Sequence, residues 1–121
     1  MLQIVRTAAE LVDQVYGITR NFPKEEEFVT VPILRDHALN VLENAALGMA
    51  RFELSYRYIY LTRATMSLVE LQKHLTLCKS FALMSPEDYN ELVTALLVLK
   101  SQLEIALKQV DALDPVDPYG F

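Results

Sequence analysis

The stretch from residue 61 to residue 82, LTRATMSLVELQKHLTLCKSFA, decides the fold. Leu61, Ala64, Leu68, Leu71, Leu75, Cys78 and Ala82 recur at alternating steps of three and four, with Leu54 one heptad upstream. That period sets them on one face of a long helix, predicted over about 53–82. Downstream, Ser85-Pro86-Glu87-Asp88 combines a capping serine, a proline suited to the first helical position and an acidic first turn. Tyr89, Leu92, Leu96, Leu99, Leu103, Ala106 and Val110 carry the same period through a helix over about 86–110. Strict seven-residue recurrence predicts shallow crossing angles of about 20°. Leu97, Val98 and Ile105 lie off that seam.

Upstream, Leu34, Ala38, Val41, Ala45, Gly48 and Phe52 share one face, flanked by Leu42 and Met49. Where this helix begins has two readings. Pro23 followed by Lys24-Glu25-Glu26-Glu27 resembles a helix start, which predicts one long element over about 24–50 kinked at Pro32. The other reading starts the helix at Pro32. The first segment, over about 2–20, carries Val5, Ala8, Val12, Val15, Thr19 and Phe22 on its predicted core face, beside a second stripe of Ile4, Leu11 and Ile18. Asn21-Phe22-Pro23 stops it, because proline disfavours the helical conformation of the residue before it. The prediction is an all-α fold: an antiparallel up-down four-helix bundle in one domain over 1–121, with an acidic, proline-containing tail over 111–121.

Hydrophobic residues are 52% of the 121, with only three glycines and no tryptophan. That is much apolar surface for one small core. The stripe of Ile4, Leu11 and Ile18 and the stripe of Leu97, Val98 and Ile105 are therefore the predicted subunit interface of a homo-oligomer. Net charge is −5, which argues against a general polyanion binder. The charge is uneven. Residues 51–80 hold Arg51, Arg57, Arg63, Lys73 and Lys79 against Glu53 and Glu70, for a net +3. Residues 81–121 hold two lysines against seven carboxylates, for a net −5. Any nucleic-acid or other anionic partner is therefore predicted to meet those five cations, with Arg63 and Lys73 favoured for lying in mid-helix.

The sequence carries little chemistry. A di-iron bundle needs Glu-x-x-His motifs on facing helices, but Leu34 and Leu71 stand three residues before His37 and His74. One cysteine and two histidines make a poor metal set, and His-Glu-x-x-His is absent. Neither histidine follows an arginine at the spacing of small helical RNases. Glu70 and His74, four apart, read as a surface pair rather than a catalytic one. Cys78, on the core seam, reads as a small buried hydrophobe. Tyr56, Tyr58 and Tyr60, interleaved with Arg57 and Arg63, suit base stacking, but a helix spreads those positions around its cylinder, which favours interface packing. No catalytic residue, metal or cofactor is predicted. A lone cysteine, charges interrupting the amino-terminal apolar pattern and no apolar run near about 18 residues predict a cytoplasmic protein without a membrane span.

Several landmarks resemble a known family. Val12-Asp13-Gln14-Val15-Tyr16 with Phe22-Pro23-Lys24-Glu25-Glu26, then Asn44, Gly48 and Arg51, fall in its pattern. So do Tyr60-Leu61, Ala64, Ser67-Leu68-Val69-Glu70-Leu71 and Leu83-Met84-Ser85 with Tyr89. From about Leu11 to Val110 the chain resembles the bacterial four-helix-bundle proteins encoded by intervening sequences in 23S rRNA genes. The accessory proteins of diversity-generating retroelements belong to the same group. Leu42, Leu47, Thr65 and Met66 depart from the first branch, and Ala38-Leu39 with Val41-Leu42-Glu43 is closer to the second. The resemblance implies a ring-like homopentamer. In the retroelement branch it implies an accessory protein that binds a reverse transcriptase, with or without template RNA. Those relatives are usually basic, so the acidic charge disfavours RNA. The alternative is a free-standing scaffold of the rRNA-intervening kind, with its partner unspecified.

Overall fold

Two prolines govern how the first half of the chain folds. The computed structural model of the protein describes residues 2–113. Helix α1 spans Leu2–Thr19 and unwinds through N–H bonds from Asn21 to the Ile18 carbonyl and from Phe22 to the Thr19 carbonyl, both 3.1 Å. Pro23, at φ −53° and ψ 144°, then turns the chain into a short 3-10 turn over Lys24–Glu26. Helix α2 runs over Thr30–Met49. The long kinked helix predicted from residue 24 does not form. A helix begun there would place Pro32 in its interior, where it removes a hydrogen bond and clashes with the preceding turn. Starting at Thr30 puts Pro32 in the first turn, whose N–H groups have no intrahelical acceptor anyway. The Thr30 hydroxyl bonds back to the Glu26 carboxylate and ties the 3-10 turn to the new helix.

Helix α3 spans Leu54–Ser80 and α4 spans Pro86–Leu113. The described residues contain four α-helices and no strand. Each helix packs on two others: α1 on α2 and α4, and α3 on α2 and α4. Short turns over 50–53 and 81–85 join sequential neighbours, so those helices run antiparallel. The seams are Ile4, Ala8, Leu11, Val15 and Ile18 on α1, and Leu34, Ala38, Val41 and Ala45 on α2. Leu61, Ala64, Leu68, Leu71, Leu75 and Cys78 on α3 face Leu92, Leu96, Leu99, Leu103, Ala106 and Val110 on α4. Phe52, predicted on the inward face of α2, stands 96% exposed instead, because α2 has already ended and the chain is turning.

The α2–α3 interface is the most extensive, and Gly48 sets its spacing. A Cβ at this position would lie 2.9 Å from Leu61 Cδ2 and 3.3 Å from the Leu61 backbone nitrogen. Only glycine lets the backbones approach so closely without moving Leu61.

A polar clamp joins α1 to α2. Arg35 Nε donates to the Thr19 hydroxyl at 3.0 Å and Nη2 donates to the Tyr16 carbonyl at 3.4 Å. The guanidinium lies 4.3 Å from the centre of the Tyr16 ring. This places a fixed cation beside the last turn of α1, where free carbonyls gather negative potential.

The α3–α4 turn is closed by caps on both sides. The Leu83 N–H reaches the Cys78 carbonyl at 2.9 Å and the Ala82 N–H reaches the Lys79 carbonyl at 3.0 Å. This is the Schellman pattern, whose left-handed position is usually glycine. Here it is alanine, with φ 56°. Ala82 therefore leaves the seam on which the heptad count placed it, and α3 ends at Ser80 rather than at 82. On the other side the Ser85 hydroxyl accepts the Asp88 N–H at 3.1 Å, as the Ser-Pro-Glu-Asp signature predicts. Helix α4 then continues three residues past the predicted end. Residues 114–121 of the predicted tail lie outside the described residues. Among the described residues no helix is long and apolar enough to cross a membrane.

Candidate functional site

Nucleophilic and acid–base chemistry finds few groups prepared for it. Cys78 is buried on the α3 seam, and burial, then the charge of Glu26, pushes its thiol up to about 11. The thiolate that reacts as a nucleophile is thus scarce at neutral pH. Glu70 does not hydrogen-bond to His74. It pairs with Lys73 at 3.1 Å, and that hydrogen bond, followed by the lysine charge, holds its carboxyl below the usual range. His74 instead stacks on His37 across the α2–α3 interface, with ring centres 5.0 Å apart and planes 23° from parallel. Burial, then His74, lowers the affinity of His37 for a proton, while Glu70 and Asp36 oppose the shift. A stacked pair of imidazoles joining two helices is a packing contact first. Among the described residues no three His, Cys, Asp or Glu side chains are placed to hold a metal ion.

The five predicted cationic contacts separate into three groups. Arg51 and Arg63 lie over the same Tyr60 ring, at 5.4 and 5.6 Å from its centre. Arg57 donates twice to the Arg51 carbonyl, at 3.2 and 2.8 Å. These three arginines gather at the α2–α3 turn. Lys73 is paired with Glu70 in mid-helix, and Lys79 lies 4.5 Å from the centre of the Tyr89 ring on α4. From Arg57 to Lys79 the helix rises about 33 Å. The five do not form one patch, and most already hold a neighbour within the chain. Tyr60 and Tyr89 are the aromatic anchors that a reading by charge alone overlooks.

The predicted subunit interface divides in two. Ile4, Leu11 and Ile18 are 8%, 1% and 9% exposed and belong to the core of their own chain. This corrects their assignment as a second surface. The inward stripe of α1 runs through 4, 8, 11, 15 and 18, and Val5 and Val12 are its half-buried flank. Leu97, Val98 and Ile105 do face outward, at 48%, 49% and 55% exposure. Helix α3 adds an exposed apolar strip that the seam reading passed over: Ile59, Met66, Val69 and Leu77. Their spacing keeps them opposite the core seam of the same helix. Two neighbouring helices thus each carry a core face and exposed apolar residues on the outside, set on α3 among the exposed Arg63, Glu70 and Lys73.

Comparison with known proteins agrees with this architecture. The family model described as 23S rRNA-intervening sequence protein matches residues 1–105, spanning α1, α2, α3 and α4 as far as Ile105. Among curated proteins none matches the chain. The match covers far more than half of the sequence. The chain belongs to the 23S rRNA-intervening sequence protein family.

Proposed function

We propose that the protein is a non-catalytic scaffold that assembles with copies of itself through the outward faces of α3 and α4. The exposure of Leu97, Val98 and Ile105 on one side of α4 carries the proposal, and the strip from Ile59 to Leu77 on α3 supports it. Charge supports the way the faces would meet. Helix α3 is net +3 and α4, with two lysines against five carboxylates, is net −3, so α3 of one copy attracts α4 of the next. Pairing two different faces is a head-to-tail contact, and such contacts close into rings when the rotation permits. Five members is the number that the resemblance to four-helix-bundle relatives implies.

The test is light scattering at micromolar concentration. The expected mass is five times the 13.8 kDa of one chain. Val98→Glu with Ile105→Glu is expected to give monomers of unchanged helicity, since both side chains leave the core untouched. A monomer mass for the wild-type protein overturns the proposal. The family match names the rRNA-intervening branch, and the partnership with a reverse transcriptase draws no support from it.

RNA contact is the second reading, favoured by the three arginines around Tyr60 at the α2–α3 turn. In a ring this cluster recurs once per subunit. Phosphate contacts make affinity fall with salt, by a log–log slope near one unit per neutralised phosphate. RNA binding that is absent, or that ignores both salt and an Arg51→Ala, Arg63→Ala double substitution, removes this reading.

A further inference from the structure

The corner where α1 hands over to α2 forms an open cleft of about 460 Å³. That is within the range of small-molecule sites, roughly 300–1,000 Å³. Arg20, Lys24 and Arg35 line it, with Glu27 as the single carboxylate on its wall, so it is cationic in a chain of net charge −5. Among the described residues the only ion pair is Lys73 with Glu70. The three cations of the corner are therefore brought together without a carboxylate bound to any of them. Gathering like charges is unfavourable unless an anion accompanies them.

The three are differently prepared. Arg35 is held by Thr19, the Tyr16 carbonyl and the Tyr16 ring. A guanidinium carries five N–H donors in a fixed fork, and these bonds occupy two of them. The remaining donors belong to a cation already locked in place, so little side-chain freedom is lost when an anion docks. Arg20 and Lys24 are exposed on the rim and free to close over it. Phe22 and Val31, both buried, give the cleft an apolar floor. Val31 also lies in the first turn of α2, so the floor of the corner is fixed to the start of that helix. Three cations suit a doubly charged head with three acceptor oxygens better than a carboxylate.

We infer that this corner binds a small organic phosphate monoester, its phosphate held by Arg20, Lys24 and Arg35 and its apolar body resting on Phe22 and Val31. The inference is independent of the assembly reading, since none of these residues lies on the outer faces of α3 or α4.

The probe is phenyl phosphate, titrated calorimetrically into the full chain at constant ionic strength, beside inorganic phosphate and phenol. Saturable binding with one site per chain is expected. Affinity should exceed that for inorganic phosphate by roughly three- to tenfold, because the ring covers the apolar floor. Phenol should not bind measurably. Arg20→Gln with Lys24→Gln removes two charges from exposed side chains and leaves helicity unchanged by circular dichroism. Affinity for phenyl phosphate should fall at least about tenfold, as the loss of two charge-assisted contacts requires. Phenyl phosphate that binds no more tightly than phenol, or that binds the double variant with undiminished affinity, overturns the inference.

Discussion

Leu71→Ala is expected to lower the free energy of unfolding by about 2–5 kcal/mol, the range for emptying a packed leucine site. Leu71 is fully buried at the middle of α3, with Leu68 and Leu75 one turn to either side. Helix α3 packs on both α2 and α4. Three carbons, a methine and two methyls, are lost from a place where surrounding helices are held by their own seams and collapse only in part. The upper part of the range is therefore the better expectation. Chemical denaturation at one fixed protein concentration measures it, because self-association would otherwise shift apparent stability. A change below about 0.5 kcal/mol would show that Leu71 does not occupy the seam.

The second large effect belongs to Gly48→Val, expected to cost about 1–3 kcal/mol by overpacking. Even the first added carbon would sit 2.9 Å from Leu61 Cδ2 and 3.0 Å from its Cγ. Gly48→Ala is a useful contrast. Alanine is the better helix former by about 1 kcal/mol, which offsets a small displacement of the flexible Leu61 tip. Valine adds two further methyls and gives back part of that propensity. A valine variant as stable as the alanine variant would mean that α2 and α3 stand farther apart than Gly48 indicates.

The seams of α3 and α4 were legible in the sequence because nothing competed with them. Leucines at steps of three and four leave one buried face, and Leu61 to Cys78 and Leu92 to Val110 occupy it as predicted. The start of α4 was legible for a different reason, since Ser85 and Pro86 each carry a local preference that needs no tertiary partner. Helix α1 was harder. Two adjacent apolar stripes both satisfy the helical period, and only the placement of α2 and α4 decides that Ile4, Leu11 and Ile18 turn inward. At the start of α2 local signals conflicted: the acidic run after Pro23 favoured a helix, and Pro32 opposed its continuation. The outcome spends one 3-10 turn on the first signal and begins the helix only at Thr30.

The candidate sites were less legible than the fold. Counting charge along residues 51–80 treated five cations as one tract, whereas Tyr60, Glu70 and Tyr89 each take a share of them. Arg35 carried no signal by itself, because its meaning depends on Thr19 and Tyr16, residues of a different helix. A cation at the start of one helix is unremarkable until the end of another is laid beside it.

Ala82 carries an implication for what holds the turn between α3 and α4 in place. Among the described residues it is the one non-glycine with a positive φ, and its methyl group is exposed, so it contributes no packing in return for that conformation. A left-handed residue with a Cβ is disfavoured by about 1–2 kcal/mol where glycine is not. Single-residue differences of that size rival a fair fraction of the total stability of a small domain. The net stability of the protein is therefore what remains after the rest of the fold has offset the strain of this one residue. The turn between α3 and α4 is thus held in a conformation its own residue disfavours, by the Leu83–Cys78 bond on one side and the Ser85 cap on the other.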